Sequence, residues 1–413
     1  MDYSLPRLGV LSVVTALMAG CAPVRAFRPV RLDPSVADSV LTSPVAPGAR
    51  LHRIVNLRAP WRAYVLEVDL ACTTLHAMKG GATAVGRTTT SGLLASLPAN
   101  SGAVATINAD FFAFTPPGVP TNLHVERGVL LAGPGGKPVF TVRGGRAEID
   151  SIGVQGQVRR GGSAMAITAW NRPVATRVGV VDARWDVPLD TLVRRRLLRL
   201  DPLAGNAAHV GEQPAQLRGR YVVQVARAAD TLVSGDTLLL HLPVRGPARG
   251  RGDTLVLQVA DTVEVQASLT WHGQPAAITE AVGGRPIVLA DSVITPDVDK
   301  EGNDGFRGLN PRSALGLDRA GRRAWLAVID GRRPGYSAGM TLRQVGELMQ
   351  ALGATRALNL DGGGSSALAV REARRSATDG SLRVDDRVVN RPSDPVERPV
   401  GNGLAVFSTC RSR

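Results

Sequence analysis

Residues 324–361 read AWLAVIDGRRPGYSAGMTLRQVGELMQALGATRALNLD, and the change of hydrophobic period inside this stretch organises the reading of the whole chain. The apolar run 324–329 ends at Asp330 and the run 356–360 ends at Asp361. Both are short and followed by glycine, the pattern of buried strands. Between them Leu342, Val345, Leu348, Met349 and Leu352 recur at helical spacing. Thr341 with Gln344 makes a capping box, and Gly353 stands where a left-handed residue ends a helix. Strand, helix and strand of these lengths predict a β-α-β crossover between parallel strands.

Parallel strands would carry Asp330 and Asp361 to one sheet edge, where open α/β sheets place ligands. With neighbouring strands ~4.8 Å apart, the two carboxylates would stand roughly 5–10 Å from each other, a spacing suited to glycoside hydrolysis or to a divalent cation, Ca2+ or Mg2+. No cofactor is specified beyond that option. After Asp361, Gly362, Gly363 and Gly364 let main chain approach a phosphate, and Ser365 and Ser366 add hydroxyl donors. The loop lacks the lysine of a nucleotide-binding P-loop, and neither serine has the Gly-x-Ser-x-Gly frame of a hydrolase elbow. Of the histidines, His124 has the most suggestive context, as a structural or substrate-positioning group.

The chain has 413 residues, 44% hydrophobic and 20% charged, which is a globular composition. Its net charge of +14 comes almost wholly from arginine, with lysine only at Lys79, Lys137 and Lys300. The arginines are scattered between apolar strands and aromatics reach only 4%, which argues against a nucleic-acid partner. Anionic envelope polymers or phosphorylated glycans suit the same electrostatics. Arg7 precedes the apolar run 8–19, the length of a secretory leader and too short to span a bilayer. The run closes at Leu17-Met18-Ala19-Gly20-Cys21, which resembles a bacterial lipoprotein box with Cys21 as the lipidation site. The expectation is an exported bacterial lipoprotein facing periplasm or cell surface, touching membrane only through that anchor. The chain then divides into a signal peptide (1–20), a flexible Pro-rich tether (21–50) and one domain (51–410). Cys72 and Cys410 either pair as a disulfide or remain two buried free thiols.

Within the domain, residues 171–270 read as a β-rich middle region, with strand candidates near 221–225, 236–242, 253–259 and 262–267 divided by Gly- and Pro-rich turns. The fold class expected is α+β (mixed α/β), largely β, with a β-α-β unit near the C-terminus.

Seven segments stand in order along the chain: INADFF (107–112), VGGRPIVL (282–289), NPRSALGL (310–317), DGR (330–332), NLDGGGSS (359–366), VNRP (389–392) and ERPVGN (397–402). Together they resemble the phosphodiester glycosidase family. The resemblance implies hydrolysis of a sugar joined through its anomeric oxygen to a phosphodiester, so the partner is a glycan or sugar-phosphodiester substrate. A phosphomonoester leaving group has a second pKa of ~6 and needs charge stabilisation more than an acid. Arg312 and Arg332 would supply that charge, and Asp361 would face the sugar, with Asp330 and Asp110 the next candidates. Asn108, Asn310 and Asn359 would orient hydroxyls or phosphate oxygens. Two other readings use the same basin: a noncatalytic glycan- or phosphate-binding envelope lipoprotein, and a metal-dependent phosphoesterase.

Overall fold

Alternation of buried and exposed side chains along short segments dominates the chain, as in Thr73–Lys79 and Thr262–Trp271, and such period-two patterning makes sheets. The computed structural model describes residues 29–133, 137–172, 178–185, 197–203, 216–226, 237–243, 255–375 and 382–410. Among the described residues strand accounts for 50% and helix for 9%. The mixed α+β class expected from the sequence is therefore corrected: the protein is mostly β.

An eight-stranded sheet runs in the order Ser39–Ala46, Ala49–Asn56, Trp61–Asp69, Arg323–Ile329, Arg312–Leu317, Arg356–Asn359, Ile287–Ala290 and Val293–Ile294. One face packs on a five-stranded sheet that holds Thr73–Lys79, Ala103–Asn108, Leu368–Arg375, Leu382–Val388 and Asn402–Ser408. Leu66, Leu326, Leu358, Ile107 and Leu404 meet between the two. The other face carries the helix Leu342–Leu352, whose Val345, Leu348 and Met349 pack with Val65, Trp325 and Ala327. A second five-stranded sheet, which includes Ile278–Gly283, shares a further core with a nine-stranded sheet built from strands between residues 152 and 275.

The helix forms as its caps require. The Thr341 hydroxyl accepts from the Gln344 N–H, the Gln344 side chain accepts from the Thr341 N–H, and Gly353 ends it at φ 99°. Its flanking strands are parallel but not neighbours, because Arg312–Leu317 lies between them and is antiparallel to both. All six residues of that strand are buried, so it belongs in the sheet interior. The expected β-α-β unit of adjacent strands is thus replaced by a crossover with an antiparallel strand inserted.

Ordered sheet begins at Ser39, within the expected tether (21–50) and upstream of Leu51, the expected start of the domain. The leader (1–20), Cys21 and the start of the tether lie outside the described residues. Cys72 and Cys410 form a disulfide. Leu358 is fully buried in the strand that leads to Asp361. Replacing it with alanine is expected to lower the unfolding free energy by about 2–5 kcal/mol in urea titrations, through lost transfer energy and a residual cavity.

Candidate active site

Sheet register gathers the sequence-predicted residues at one place. Arg312 faces Ile329 and Ala314 faces Asn359, so the ends of three adjacent strands carry Asp330, Arg312 and Asp361 in that order. The five-stranded sheet reaches the same edge with Asn108, and the Asp361 N–H donates to the Ala109 carbonyl at 2.7 Å. The strand Ile278–Gly283 ends there too, and a Cβ added to Gly283 would lie 2.8 Å from Asp110 Oδ2.

The carboxylates that interact are Asp110 and Asp361. Asp110 is 1% exposed. Its oxygens accept from the Asn122 N–H (2.7 Å), the Asn122 amide (2.9 Å) and the Thr121 hydroxyl (3.3 Å). Burial, helped by the charge of Asp361, raises its pKa to about 7 against the pull of Asn122. Asp361 is half-buried. Burial lifts it to about 6, opposed by the Ser365 hydroxyl, the Gly362 N–H and the Arg398 and Arg285 guanidiniums. Two acids held near neutrality beside each other are a usual mark of a reactive site.

Asp330 stands apart from this pair, with Arg312–Leu317 between its strand and that of Asp361. Its carboxylate accepts from the Asn390 amide at 3.0 Å, the Arg391 N–H at 2.9 Å and the Tyr336 hydroxyl at 3.1 Å. Burial raises its pKa. These bonds anchor the 389–392 segment, and the strands of Asp330 and Asp361 are not neighbours as expected, since one antiparallel strand lies between them. Among the described residues no group of three or more His, Cys, Asp or Glu side chains is arranged to hold a metal ion.

The asparagines mostly bind protein. Asn108 is fully buried, donates to the Asp361 carbonyl at 2.7 Å and accepts from Ser313 Oγ at 2.7 Å and the Ala367 N–H at 3.2 Å. Asn359 donates to the Arg285 carbonyl at 2.7 Å, leaving its own Oδ1 buried and unpaired. Asn310 accepts from Arg332 at 2.9 Å and donates to the carbonyls of Gly305 and Gly308.

The glycine loop is not an open phosphate nest. The N–H groups of Gly363, Ser365 and Ser366 donate to carbonyls of Pro311, Gly362 and Gly363. Its glycines admit arginine instead. A Cβ on Gly364 would lie 2.3 Å from Asp394 and 2.4 Å from Arg398, and Gly363, at φ 64°, lies 3.2 Å by the same measure from Arg332 Nη1. The Ser365 and Ser366 hydroxyls are buried.

Arg312 is 2% exposed and its hydrogen bonds go to carbonyls, those of Met340, Phe306 and Gly308. Burial and the nearby charge of Arg332 pull it down to about 10. Arg332 sits at φ 57°, unusual for a non-glycine residue, with Asn310 as its side-chain partner. Among the described residues neither guanidinium has a carboxylate partner; Arg332 is exposed, and the buried charge of Arg312 without a counterion favours an anionic ligand. Phe111 and Phe306, with ring centroids 6.0 Å apart, wall the site beside Arg285, whose guanidinium lies 5.0 Å from the Phe111 ring.

Several contributors are not evident from sequence. Asn122 and Thr121 hold Asp110, and their only signal is polarity at the mouth of an apolar strand. Asn402 accepts from the Asp110 N–H at 2.9 Å and donates to His124 Nδ1 at 3.1 Å. His124 is buried with a lowered pKa, caused first by desolvation. It therefore serves as a neutral structural group behind the site.

A β-rich fold with a paired acid and arginines free of carboxylates at a shared sheet edge defines a hydrolase-like basin. A family profile described as phosphodiester glycosidase matches residues 215–407. That match covers just under half of the chain and is to the same family that the sequence motifs resemble. A search of curated protein sequences returns no match. Among solved structures, a hypothetical protein from Synechocystis aligns at a TM-score of 0.65 and 19% identity over 90% of this chain. The chain spans 64% of that protein, under two thirds of its length. A putative exported protein from Burkholderia pseudomallei aligns at a TM-score of 0.57 and 20% identity, covering 84% of this chain and 74% of its own. The catalytic domain of zebrafish N-acetylglucosamine-1-phosphodiester α-N-acetylglucosaminidase, auto-inhibited by its pro-peptide, aligns over 95% of this chain and 98% of its own at 13% identity and a TM-score of 0.41. The first two likenesses support the fold alone.

The raised acids set the pH dependence. Both Asp110 and Asp361 bind protons more tightly folded than at the ordinary value of 3.8. Their contribution to stability is full below that value and is lost as pH rises through about 6 and about 7. Carboxyl-carbon NMR is expected to show two macroscopic steps in that range. Between the two extremes the wild type should lose on the order of 4 kcal/mol more stability than Asp110→Asn in urea unfolding.

Proposed function

We propose that this protein is a phosphodiester glycosidase that breaks the bond between an anomeric carbon and a phosphodiester oxygen. The observation that carries the reading is the Asp110–Asp361 pair, with pKa values of about 7 and about 6, set against arginines without carboxylate partners among the described residues. The half-buried Asp361 faces the sugar, while Asp110 lies behind it, fully buried and held by Asn122. Burial keeps Asp361 more basic than a free aspartate, yet at about 6 it is mostly ionised at neutral pH.

As the C1–O bond breaks, its electron pair goes to the phosphate oxygen and positive charge develops on the sugar. Asp361 stabilises that charge. Arg332, with Arg312 behind it, stabilises the phosphate dianion that departs, and preorganised charge of this kind supplies much of the rate enhancement in many enzymes. A water oxygen ends on the sugar carbon and its proton on the departing group or solvent, so a sugar and a phosphomonoester result. Phe111 and Phe306 offer apolar faces beside the acids for the ring of the sugar.

We propose in addition that the enzyme is exported and held at the envelope through Cys21. The apolar run 8–19 supports this, as does the Cys72–Cys410 disulfide, a linkage that persists in oxidising compartments.

In 18O-labelled water, turnover of a sugar phosphodiester should place the label on the sugar, and Asp361→Asn should lower kcat by roughly 10^3-fold or more with the fold retained. Label in the phosphate, with activity lost on chelation, would instead indicate a metal-dependent phosphoesterase. Binding without turnover would indicate a noncatalytic module.

A further inference from the structure

The sheet edge that carries Asp361 does not end there. Two strands beyond Arg312–Leu317 lies Trp61–Asp69, whose second residue, Arg62, accepts the Asp330 N–H at its carbonyl. The Arg62 guanidinium carbon is 4.7 Å from the centroid of the Tyr336 ring, and that of Arg391 is 4.8 Å from the same centroid. Arg333 reaches across to the Pro392 carbonyl. Two guanidiniums therefore flank one tyrosine ring, and that of Arg333 binds the carbonyl of the residue next to Arg391.

None of the three makes an ion pair among the described residues. Asp330 feels the charge of Arg333, but its oxygens are occupied by Asn390, the Arg391 N–H and Tyr336. Nε of Arg62 and Nε of Arg333 are buried without an acceptor. Tyr336 is itself fixed, its hydroxyl 3.0 Å from that of Tyr64 and 3.1 Å from Asp330. Stacking on a rigid ring holds arginines in place without neutralising them, and a planar fork so held is matched to phosphate oxygens.

We infer that this cluster is a second anion subsite for a further phosphate of the same substrate, so that the substrate is a chain with repeated phosphodiester groups. The inference rests on the phosphodiester glycosidase reading for the first subsite. Three strand spacings separate the strand of Arg62 from that of Asp361, or ~14 Å, and Arg332 lies on the path between them. A single sugar phosphodiester fills only the Asp361 end. A chain with a phosphate in every repeat engages both, and the second contact becomes intramolecular once the first has formed.

Calorimetry on the mature chain tests this with glycerol phosphate and a glycerol phosphodiester hexamer as probes, a readout that does not need turnover. The hexamer is expected to bind at least tenfold more tightly than the monomer after correction for phosphate number. Arg62→Ala with Arg391→Ala should abolish that gain and leave monomer affinity unchanged. Because Arg62 is partly buried, the exposed Arg391→Glu serves as a second variant and should cut hexamer affinity at least tenfold on its own. Equal corrected affinities, or a gain that survives both variants, would overturn the subsite. Loss of all turnover on sugar phosphodiesters with the chain-length effect intact would instead count against the glycosidase reading alone.

Discussion

The buried amide of Asn108 is the contact on which the site depends. It joins the two main sheets, donating to the Asp361 carbonyl and accepting from Ser313, both of the eight-stranded sheet, while it also accepts from the Ala367 N–H beside its own strand. With the Asp361 N–H on the Ala109 carbonyl, both main-chain groups of Asp361 are fixed by the opposite sheet. Burying a polar group is costly unless it is hydrogen-bonded, and Asn108 makes three such bonds. The asparagine thus sets the distance between sheets and, through that distance, the approach of Asp110 to Asp361.

Charge follows from the same closeness. Bringing two carboxyls into a space with little water raises both pKa values, and bringing Arg312 into it lowers that of the guanidinium. Each shift records a charge that the fold alone does not fully compensate. The acids keep their protons to near neutrality and Arg312 and Arg332 find no carboxylates among the described residues, so the basin is electrostatically incomplete in a way that a cationic sugar and an anionic phosphate would complete. Glu67 shows the opposite condition: 1% exposed, it meets His52, Arg50 and Arg323 in a closed cluster.

Local features of this architecture are legible in the sequence, and non-local ones are not. The helix at 342–352 is readable because Thr341, Gln344 and Gly353 act within one turn of its ends. Asp361 and its glycines are readable because composition so bare is rarely accidental. That Arg312–Leu317 enters between two parallel strands is not readable, since its small and polar start, Arg-Ser-Ala, hides a strand buried on both faces. Asp330 looks equivalent to Asp361 because both end apolar runs before glycine. What separates them is the company each finds in space, Asn390 and Tyr336 for one and Asp110 for the other. By composition the glycines look like room for phosphate, yet the side chains of Arg332 and Arg398 fill that room.

The near absence of lysine also acquires a reason. At 2% exposure, Arg312 falls to about 10 and remains charged at every physiological pH. A lysine starts about two units lower, so the same desolvation would bring it toward neutrality and remove the charge that an anion needs. Arginine also reaches several carbonyls at once, as Arg312 does with Met340, Phe306 and Gly308. One side chain thereby pins the 303–310 segment and still presents a permanent cation beneath it. A basin built from such residues keeps its positive potential over a wide range of pH, as the proposed phosphate-bearing substrate requires.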